Sequence, residues 1–543
     1  MKHLVRPALP TLVSVLAVVP FYTVPFLSFA KDNVVEGLPL DQAAGLFVVL
    51  VLLGLAVQRI AFWILKDWAK ATILTVLVSF PILYFRTMVL ELVKLLPAAV
   101  RPSLIIYPVV AVLLVGSWLI IRRLSPGRAR TVTSYLAVVG ILLFAYSFVM
   151  FGLAVQRNTG AHVAIDNADF RSTRVAAKSK VRHPDIYYLV FDRYTGRTGL
   201  SESFGYDNGP FLASLKRKGF YVESASFSNY PFTSSSLASS WNGGLLKTSG
   251  AVNRVSSGIE YYKQLKRPAA EVVLKRAGYR VTRIGSWWGA TETSAVADEN
   301  PRYAWEFNAF GRKLHVGNMA GVYLLNTVFV DVYEKLSPEP FRVEKRQGPI
   351  FHEQVATIEG IADREDRQPK FVLAHILMPH PPYVFDKDGS PSPDGLSQFD
   401  KYLRQLTYSN QEIGRLVDHL LAAHPDNPPV IVLTADEGEY PRRFDPKAKD
   451  AQLRQKTNIL GAFYFPGQRY DSLYPTITPV NYFRVILNQY LGAHLTLQPD
   501  TIHTNNLGRP YVFYDITKRV HAAPGPAGSA KKLNRGTTVP TLP

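Results

Sequence analysis

Cysteine is absent from all 543 residues. A disulfide framework, a thiolate zinc site and a cysteine nucleophile are therefore excluded. Charge is sparse too: Asp, Glu, Lys and Arg make up 19% of the chain against 47% hydrophobic residues. That balance excludes a disordered chain and places part of the protein in lipid. Acidic residues are the scarcer sign, 42 against 61 Lys and Arg, for a formal charge of +19. Such an excess suits nucleic acid, an anionic membrane surface or basic cytoplasmic loops. The length is too great for one compact domain and implies two or three units.

What the chain has in abundance is the long apolar run. Five lie in the first 155 residues, near 10–29, 44–65, 71–90, 104–121 and 133–154. Each is close to the roughly 20 residues that cross a hydrocarbon core. A cleaved signal peptide accounts only for the first, so residues 1–155 are expected to form a transmembrane domain of five spans. Lys2 and Arg6 precede the first span, and the loop after it carries Asp32, Glu36 and Asp41 against Lys31. Arg59, Lys66 and Lys70 lie around the second connection, and Arg122, Arg123, Arg128 and Arg130 fill the fourth. The positive-inside rule then puts the N-terminus in the cytoplasm and everything after span five outside, in the periplasm or beyond. This topology also argues against nucleic acid as a partner. The densest basic cluster is explained by orientation, and no aromatic-basic repeat of a nucleic-acid module occurs.

Residues 156–182 turn polar and read as a linker, and 183–521 as an extracytoplasmic α/β domain. Asp185–Phe191, Gly219–Ser224, Arg280–Ile284, Lys370–Ile376 and Pro429–Thr434 read as strands. Helical patterns at Phe211–Lys218, Glu271–Ala277 and Tyr402–Leu421 alternate with them. The alternation predicts a mostly parallel sheet flanked by helices, with ligands at the carboxyl ends of the strands. The stretch 522–543, rich in Pro, Gly, Ala, Lys and Thr without periodicity, is expected to be a disordered tail.

The residues just past the strands carry the chemistry. Strand 185–191 ends in Asp192, and strand 429–434 in Ala435-Asp436-Glu437-Gly438-Glu439. Strand 370–376 runs into Met378-Pro379-His380-Pro381-Pro382-Tyr383. Alone, Asp192 reads as a turn cap, the DEGE run as a solvated loop and His380 as part of a rigid turn. Together, on three strands, they converge on one crevice. Clustered carboxylates repel unless a proton or cation sits between them, which makes a hard divalent metal the natural occupant. A further stretch, Asn229-Tyr230-Pro231-Phe232-Thr233-Ser234-Ser235-Ser236, reads as an ordinary helix N-terminus. Beside a cation, a hydroxyl there has its alkoxide stabilised by helix dipole and metal alike, giving a nucleophile without cysteine.

The stretches YYLVFDRYTG, SNYPFTSSSLASSWNGG, HILMPHPPYVFDKDG and VIVLTADEGE, in that order, resemble the sulfatase-like branch of the alkaline phosphatase superfamily. KTNILGAFYFPG and TITPVNYFRVILN add to the likeness, which covers roughly residues 183–516. With five preceding spans the architecture is similar to lipoteichoic acid synthases and to phosphoglycerol and phosphoethanolamine transferases. The resemblance implies a threonine nucleophile with a covalent phospho-enzyme intermediate beside a divalent metal. It assigns Thr233 as nucleophile and ligand, Asp192 and Asp436 as further ligands, and His380, with Tyr383 in the same stretch, to the substrate. His380 would contact the phosphate or protonate a leaving oxygen. The family's usual Asp-His-Gly is Asp436-Glu437-Gly438 here. Taking Glu437 as a ligand makes the set all-oxygen, which favours Mn²⁺, Mg²⁺ or Ca²⁺ over Zn²⁺.

The function implied is transfer of a phospho-headgroup, phosphoglycerol or phosphoethanolamine, from a phospholipid donor to an envelope glycan or lipid acceptor. A hydrolase with the same site is the alternative, and a non-catalytic binding protein on this fold the third reading. Sulfate ester hydrolysis is disfavoured. True sulfatases convert a Cys or Ser within C/S-x-P-x-R, and Ser337-Pro338-Glu339-Pro340 misses that spacing.

Overall fold

Two units make up the chain, residues 1–159 with 305–342, and 160–304 with 343–543. The computed structural model describes residues 12–34, 40–85, 91, 103–173, 183–309, 312–337 and 340–522. Lys2, Arg6, Glu36, positions 86–90 of the third expected span and the expected tail from 523 onward lie outside the described residues.

In the first unit, helices follow the five apolar runs: α1 (Leu12–Asn33), α2 (Leu40–Leu65), α3 (Trp68–Leu83), α4 (Ser103–Arg123) and α5 (Pro126–Arg157). Among the described residues three stretches, Leu12–Asn33, Ala43–Leu65 and Pro126–Arg157, are long and apolar enough to cross a membrane. Outward-facing Leu52, Leu113, Leu142 and Phe148 are exposed, as suits helices solvated by lipid tails. Polar side chains turn inward instead. Buried Gln58 donates to the Ser14 carbonyl and the Thr72 hydroxyl, tying α2 to α1 and α3. At Gly140 a Cβ would come within 3.2 Å of Pro20 and Phe21, so its smallness lets α5 lie close on α1. Such close approach and inward hydrogen bonding are what hold helices together where no hydrophobic driving force separates them from lipid.

In the second unit six strands form one sheet: β1 (Ile186–Phe191), β2 (Tyr221–Val222), β3 (Arg280–Ile284), β4 (Lys370–Ile376), β5 (Val430–Thr434) and β6 (Gly461–Tyr464). The spatial order is β2-β6-β5-β1-β4-β3. The four central and right-hand strands β5, β1, β4 and β3 are parallel, while β6 runs antiparallel to β5 and β2. Every residue of β1, β4 and β5 is buried, which is why these strands read as continuous apolar runs rather than alternating ones. Pairing places Val190 beside both His375 and Thr434, so the three strands end at one edge. Two short helices matter at that edge, α6 (Thr233–Ser240) and α7 (Gly289–Glu292).

The structure departs from the expected organisation in two places. Part of the expected linker is folded, with a strand at Ala161–Ile165 paired to Leu246–Gly250 and a helix at Ala168–Ser172. Buried Arg484 clamps that helix through Asp169, at 2.6 and 3.0 Å. The second departure is larger. Residues 305–342 interrupt the α/β domain and belong to the helical unit. They hold a ladder of Glu306–Ala309 with Arg312–His315 and two helices, α8 (Asn318–Leu324) and α9 (Val328–Leu336). Met319 and Tyr323 of α8 are buried in the same core as Val18, Tyr22 and Phe26 of α1.

Candidate active site

At the end of β1 the chain turns sharply. Arg193 has φ +60°, a left-handed conformation that costs a non-glycine residue on the order of 1 kcal/mol. The turn lets the Arg193 N–H donate to Asp436 Oδ1 at 3.2 Å, while Asp192 Oδ2 lies 3.2 Å from His375 Nε2. Asp192, His375 and Asp436 are all fully buried, and one ligand atom from each lies within 4.8 Å of the others. Asp192 Oδ1, Asp436 Oδ2 and His375 Nε2 have no hydrogen-bond partner. Burial and the facing Asp192 push the Asp436 carboxyl well above its usual range, against the Thr233 hydroxyl and the Arg193 N–H. For Asp192 burial acts the same way, but His380, His375 and Arg193 outweigh it and hold its carboxyl low. One carboxylate thus keeps its charge at the other's expense, a frustration that a cation relieves.

His375 was not singled out from the sequence, and its orientation is set from behind. Nδ1 lies 2.9 Å from the Thr291 hydroxyl of α7, which is 2.9 Å from the Ser286 hydroxyl. Nε2 faces Asp192 Oδ2 and has no other partner, so a proton or a cation must stand between the two atoms. The donor set therefore fits a divalent metal.

Glu437 is differently engaged. Its Oε1 accepts from Arg193 Nε at 3.3 Å and its Oε2 lies 2.8 Å from Lys456 Nζ, on helix α10 (Asp450–Thr457). Glu439 faces Arg193 Nη1 at 3.9 Å. Both cations also lie over the Tyr440 ring, Arg193 at 4.3 Å and Lys456 at 3.4 Å from its centroid. Arg193 and Lys456 thus balance Glu437 and Glu439. Asp192 and Asp436 remain, two carboxylates with no Lys or Arg side chain bonded to them among the described residues. Because Lys456 is buried, removing its charge leaves Glu437 and Glu439 to share Arg193 as their counter-ion. Lys456→Met should cost roughly 3–5 kcal/mol of stability. Adding Glu437→Gln should recover part of that loss in a double-mutant cycle read by thermal unfolding. Additive losses would mean that the pair is not coupled.

Thr233 is the first helical residue of α6, after Phe232 at the cap position, and is half-buried. Ser235 and Ser236 are buried, and Ser235 Oγ donates back to the Phe232 carbonyl at 3.2 Å. His380 is half-buried, and burial pushes its imidazole down to about 4. Its Nδ1 bonds the Pro381 carbonyl. Since a carbonyl only accepts, Nδ1 carries the proton and Nε2 offers a lone pair. Tyr383 is buried, with its ring edge-on to Tyr402 at 6.0 Å.

No curated protein matches the chain. Among solved structures, the C-terminal periplasmic domain of EptC from Escherichia coli aligns at 14% identity over 63% of this chain and 95% of that one, with TM-score 0.39. Lipooligosaccharide phosphoethanolamine transferase A from Neisseria meningitidis, an integral membrane protein, aligns at 14% identity over 88% and 95%, with TM-score 0.37. An alkaline phosphatase superfamily protein from Vibrio parahaemolyticus aligns at 12% over 62% and 75%, with TM-score 0.38. The sulfatase family matches residues 197–486, more than half of the chain. The protein therefore belongs to the sulfatase family, as its strand-end motifs imply.

Proposed function

We propose that the protein is a membrane-bound transferase that moves a phospho-headgroup, phosphoglycerol or phosphoethanolamine, from a phospholipid to an envelope glycan or lipid through a phospho-Thr233 intermediate. The observation that carries this reading is the hydroxyl at the start of α6, bonded to Asp436 of a buried Asp192–His375–Asp436 cluster whose two carboxylates have no Lys or Arg side chain bonded to them among the described residues. Thr233 Oγ attacks the phosphodiester in line, the bond to the diacylglycerol oxygen breaks, and the proton shed by the threonine passes through His380 Nε2 to that leaving oxygen. An acceptor hydroxyl then attacks the phospho-threonine and frees Thr233. Asp192, His375, Asp436 and the Thr233 oxygen would hold a divalent ion, which when bound lowers the pKa of the threonine hydroxyl and neutralises phosphoryl charge. His380, neutral and with Nε2 available, takes the proton of the acceptor hydroxyl in the second step. Glu437 acts as the counter-ion of Arg193 and Lys456 instead of a ligand. With an imidazole in its place the donor set suits Mn²⁺, which accepts carboxylate and tolerates nitrogen, better than Mg²⁺ or Ca²⁺.

The family name does not carry sulfate chemistry with it, because the chain lacks the C/S-x-P-x-R motif in which a sulfatase converts its Cys or Ser. Hydrolysis by the same site is the second reading, and the acceptor alone separates the two. Purified protein given a headgroup-labelled phospholipid should transfer label to added envelope glycan or lipid and release little of it to water. Label released at the same rate with and without acceptor would make the enzyme a phosphodiesterase. The acceptors in question lie outside the cytoplasm, so topology matters. Five spans with the N-terminus inside predict that reporter fusions after residue 160 read as external and fusions between Leu124 and Thr131 as cytoplasmic. A cytoplasmic reading after residue 160 would remove envelope substrates.

A further inference from the structure

The insertion at 305–342 does more than fill space in the helical unit. Its first helix, α8, is anchored on α1: Tyr323 packs edge-on against Phe26 and Phe29, at 5.6 and 5.3 Å between ring centroids. These phenylalanines lie in the last turns of α1, the end that the charge pattern places outside. The second helix, α9, sets Lys335 Nζ 3.7 Å from the ring of Tyr107. Tyr107 lies in the second turn of α4, and Arg122 at the cytoplasmic end is 15 residues on, roughly 22 Å along the axis. Two independent contacts therefore set α8 and α9 at the same level, the outer boundary of the apolar helices.

At that level α9 has an unusual surface. Phe329, Val332 and Leu336 recur at helical spacing on one face and are 44%, 44% and 82% exposed. Exposed apolar side chains aligned on one face, rather than scattered singly, mark an interaction surface. The acids of the same helix are neutralised: Asp331 and Glu334 both pair with Arg342, at 2.9 and 2.5 Å. The helix thus offers an apolar face, neutralised acids and a lysine with an aromatic ring beneath it. This is the pattern of a helix lying in a membrane interface, where cations meet lipid phosphates and apolar side chains sink below the headgroups.

We propose that α9 lies in the outer membrane–water interface of the bilayer that the helical unit crosses, with Phe329, Val332 and Leu336 inserted among the lipid chains. The inference rests on reading α1–α5 as membrane-embedded. Three side chains fall well short of the ~800 Å² per partner that a stable dimer buries, and the stripe stands level with the lipid-facing ends of α1 and α4. A lipid surface is therefore the occupant that fits.

The chain's lack of cysteine makes the test direct. Single variants Phe329→Cys, Val332→Cys and Leu336→Cys, with Leu142→Cys on α5 and Leu507→Cys on the α/β unit as references, are labelled with an environment-sensitive fluorophore. Leu142 is 64% and Leu507 66% exposed, so each label is tolerated. The full chain is reconstituted in phosphatidylethanolamine–phosphatidylglycerol vesicles and quenched with brominated lipid or with aqueous iodide. Labels at 329, 332 and 336 should be quenched by brominated lipid and shielded from iodide several-fold relative to 507. Iodide access equal to that at 507, with 142 still quenched by lipid, overturns the interfacial helix alone. Failure at 142 as well overturns the embedded reading and the proposal with it. Disulfide-linked pairs forming through position 336 would assign the stripe to a second copy and overturn the lipid assignment.

Discussion

Thr233→Ala should abolish headgroup transfer, with a loss of several orders of magnitude, while the protein remains folded and in the membrane. Removing a covalent nucleophile leaves only the electrostatic remainder of the site. The fold is spared because Phe232, not Thr233, occupies the cap position of α6, so the hydroxyl is not what holds the helix start. Ser235 and Ser236 are buried, and Ser235 is bonded to the Phe232 carbonyl. Ser234 is half-buried in the same turn and is the competitor to exclude. Ser234→Ala should keep most of the activity, and so should Ser235→Ala and Ser236→Ala, at a cost on the order of 1 kcal/mol or less in stability. Mass spectrometry of the quenched enzyme should find the phospho-headgroup on Thr233. An adduct on Ser234, or full activity in Thr233→Ala, would move the nucleophile.

Chelation should silence the enzyme as completely, and two variants should divide the ligands from their neighbours. His375→Ala removes one of the three groups whose donor atoms lie within 4.8 Å of one another, so bound metal and activity should fall together. Glu437→Gln removes a carboxylate that is already held by Arg193 and Lys456, so metal content should persist although stability falls. Elemental analysis of the purified proteins should find about one ion per chain in the wild type and in Glu437→Gln, and far less in His375→Ala. Mn²⁺ should restore the chelated enzyme more readily than Mg²⁺. Loss of metal in Glu437→Gln with retention in His375→Ala would return Glu437 to the ligand set and would falsify the charge balance argued for the site.

The parts of this site differ in how openly the sequence shows them. Asp192 and Asp436 are legible because each ends a continuous apolar strand, and a charge at the carboxyl end of a buried parallel strand has few structural reasons to be there. Thr233 is legible through Pro231 and the serines that follow, which mark a helix start. His375 is not, since within Lys370–Ile376 a single histidine reads as a satisfied core residue. Only the pairing of Val190 with His375 shows that it stands one step from the strand end, beside Asp192. Lys456 lies 20 positions beyond Asp436 in the polar helix Asp450–Thr457, where a lysine is expected to face solvent. Short β6 escapes the periodicity test because four residues, Gly461–Tyr464, show no alternation. The insertion escapes it for another reason. Two short apolar helices look like any other helices of an α/β domain, and their allegiance to α1 depends on a tyrosine meeting two phenylalanines nearly three hundred residues earlier.

That allegiance bears on whether the catalytic half can ever be shed. The polypeptide passes between the two units three times, after residue 159, between 304 and 305, and between 342 and 343. A protease cutting within 160–182 would sever one strand of the tether and release nothing. Freeing the α/β unit takes two further cuts, on either side of the insertion. The same holds at the bench: a soluble fragment begun at residue 160 would carry Met319 and Tyr323 stripped of their partners on α1, together with the apolar stripe of α9. Such a fragment should need detergent, and excising 305–342 should relieve that need.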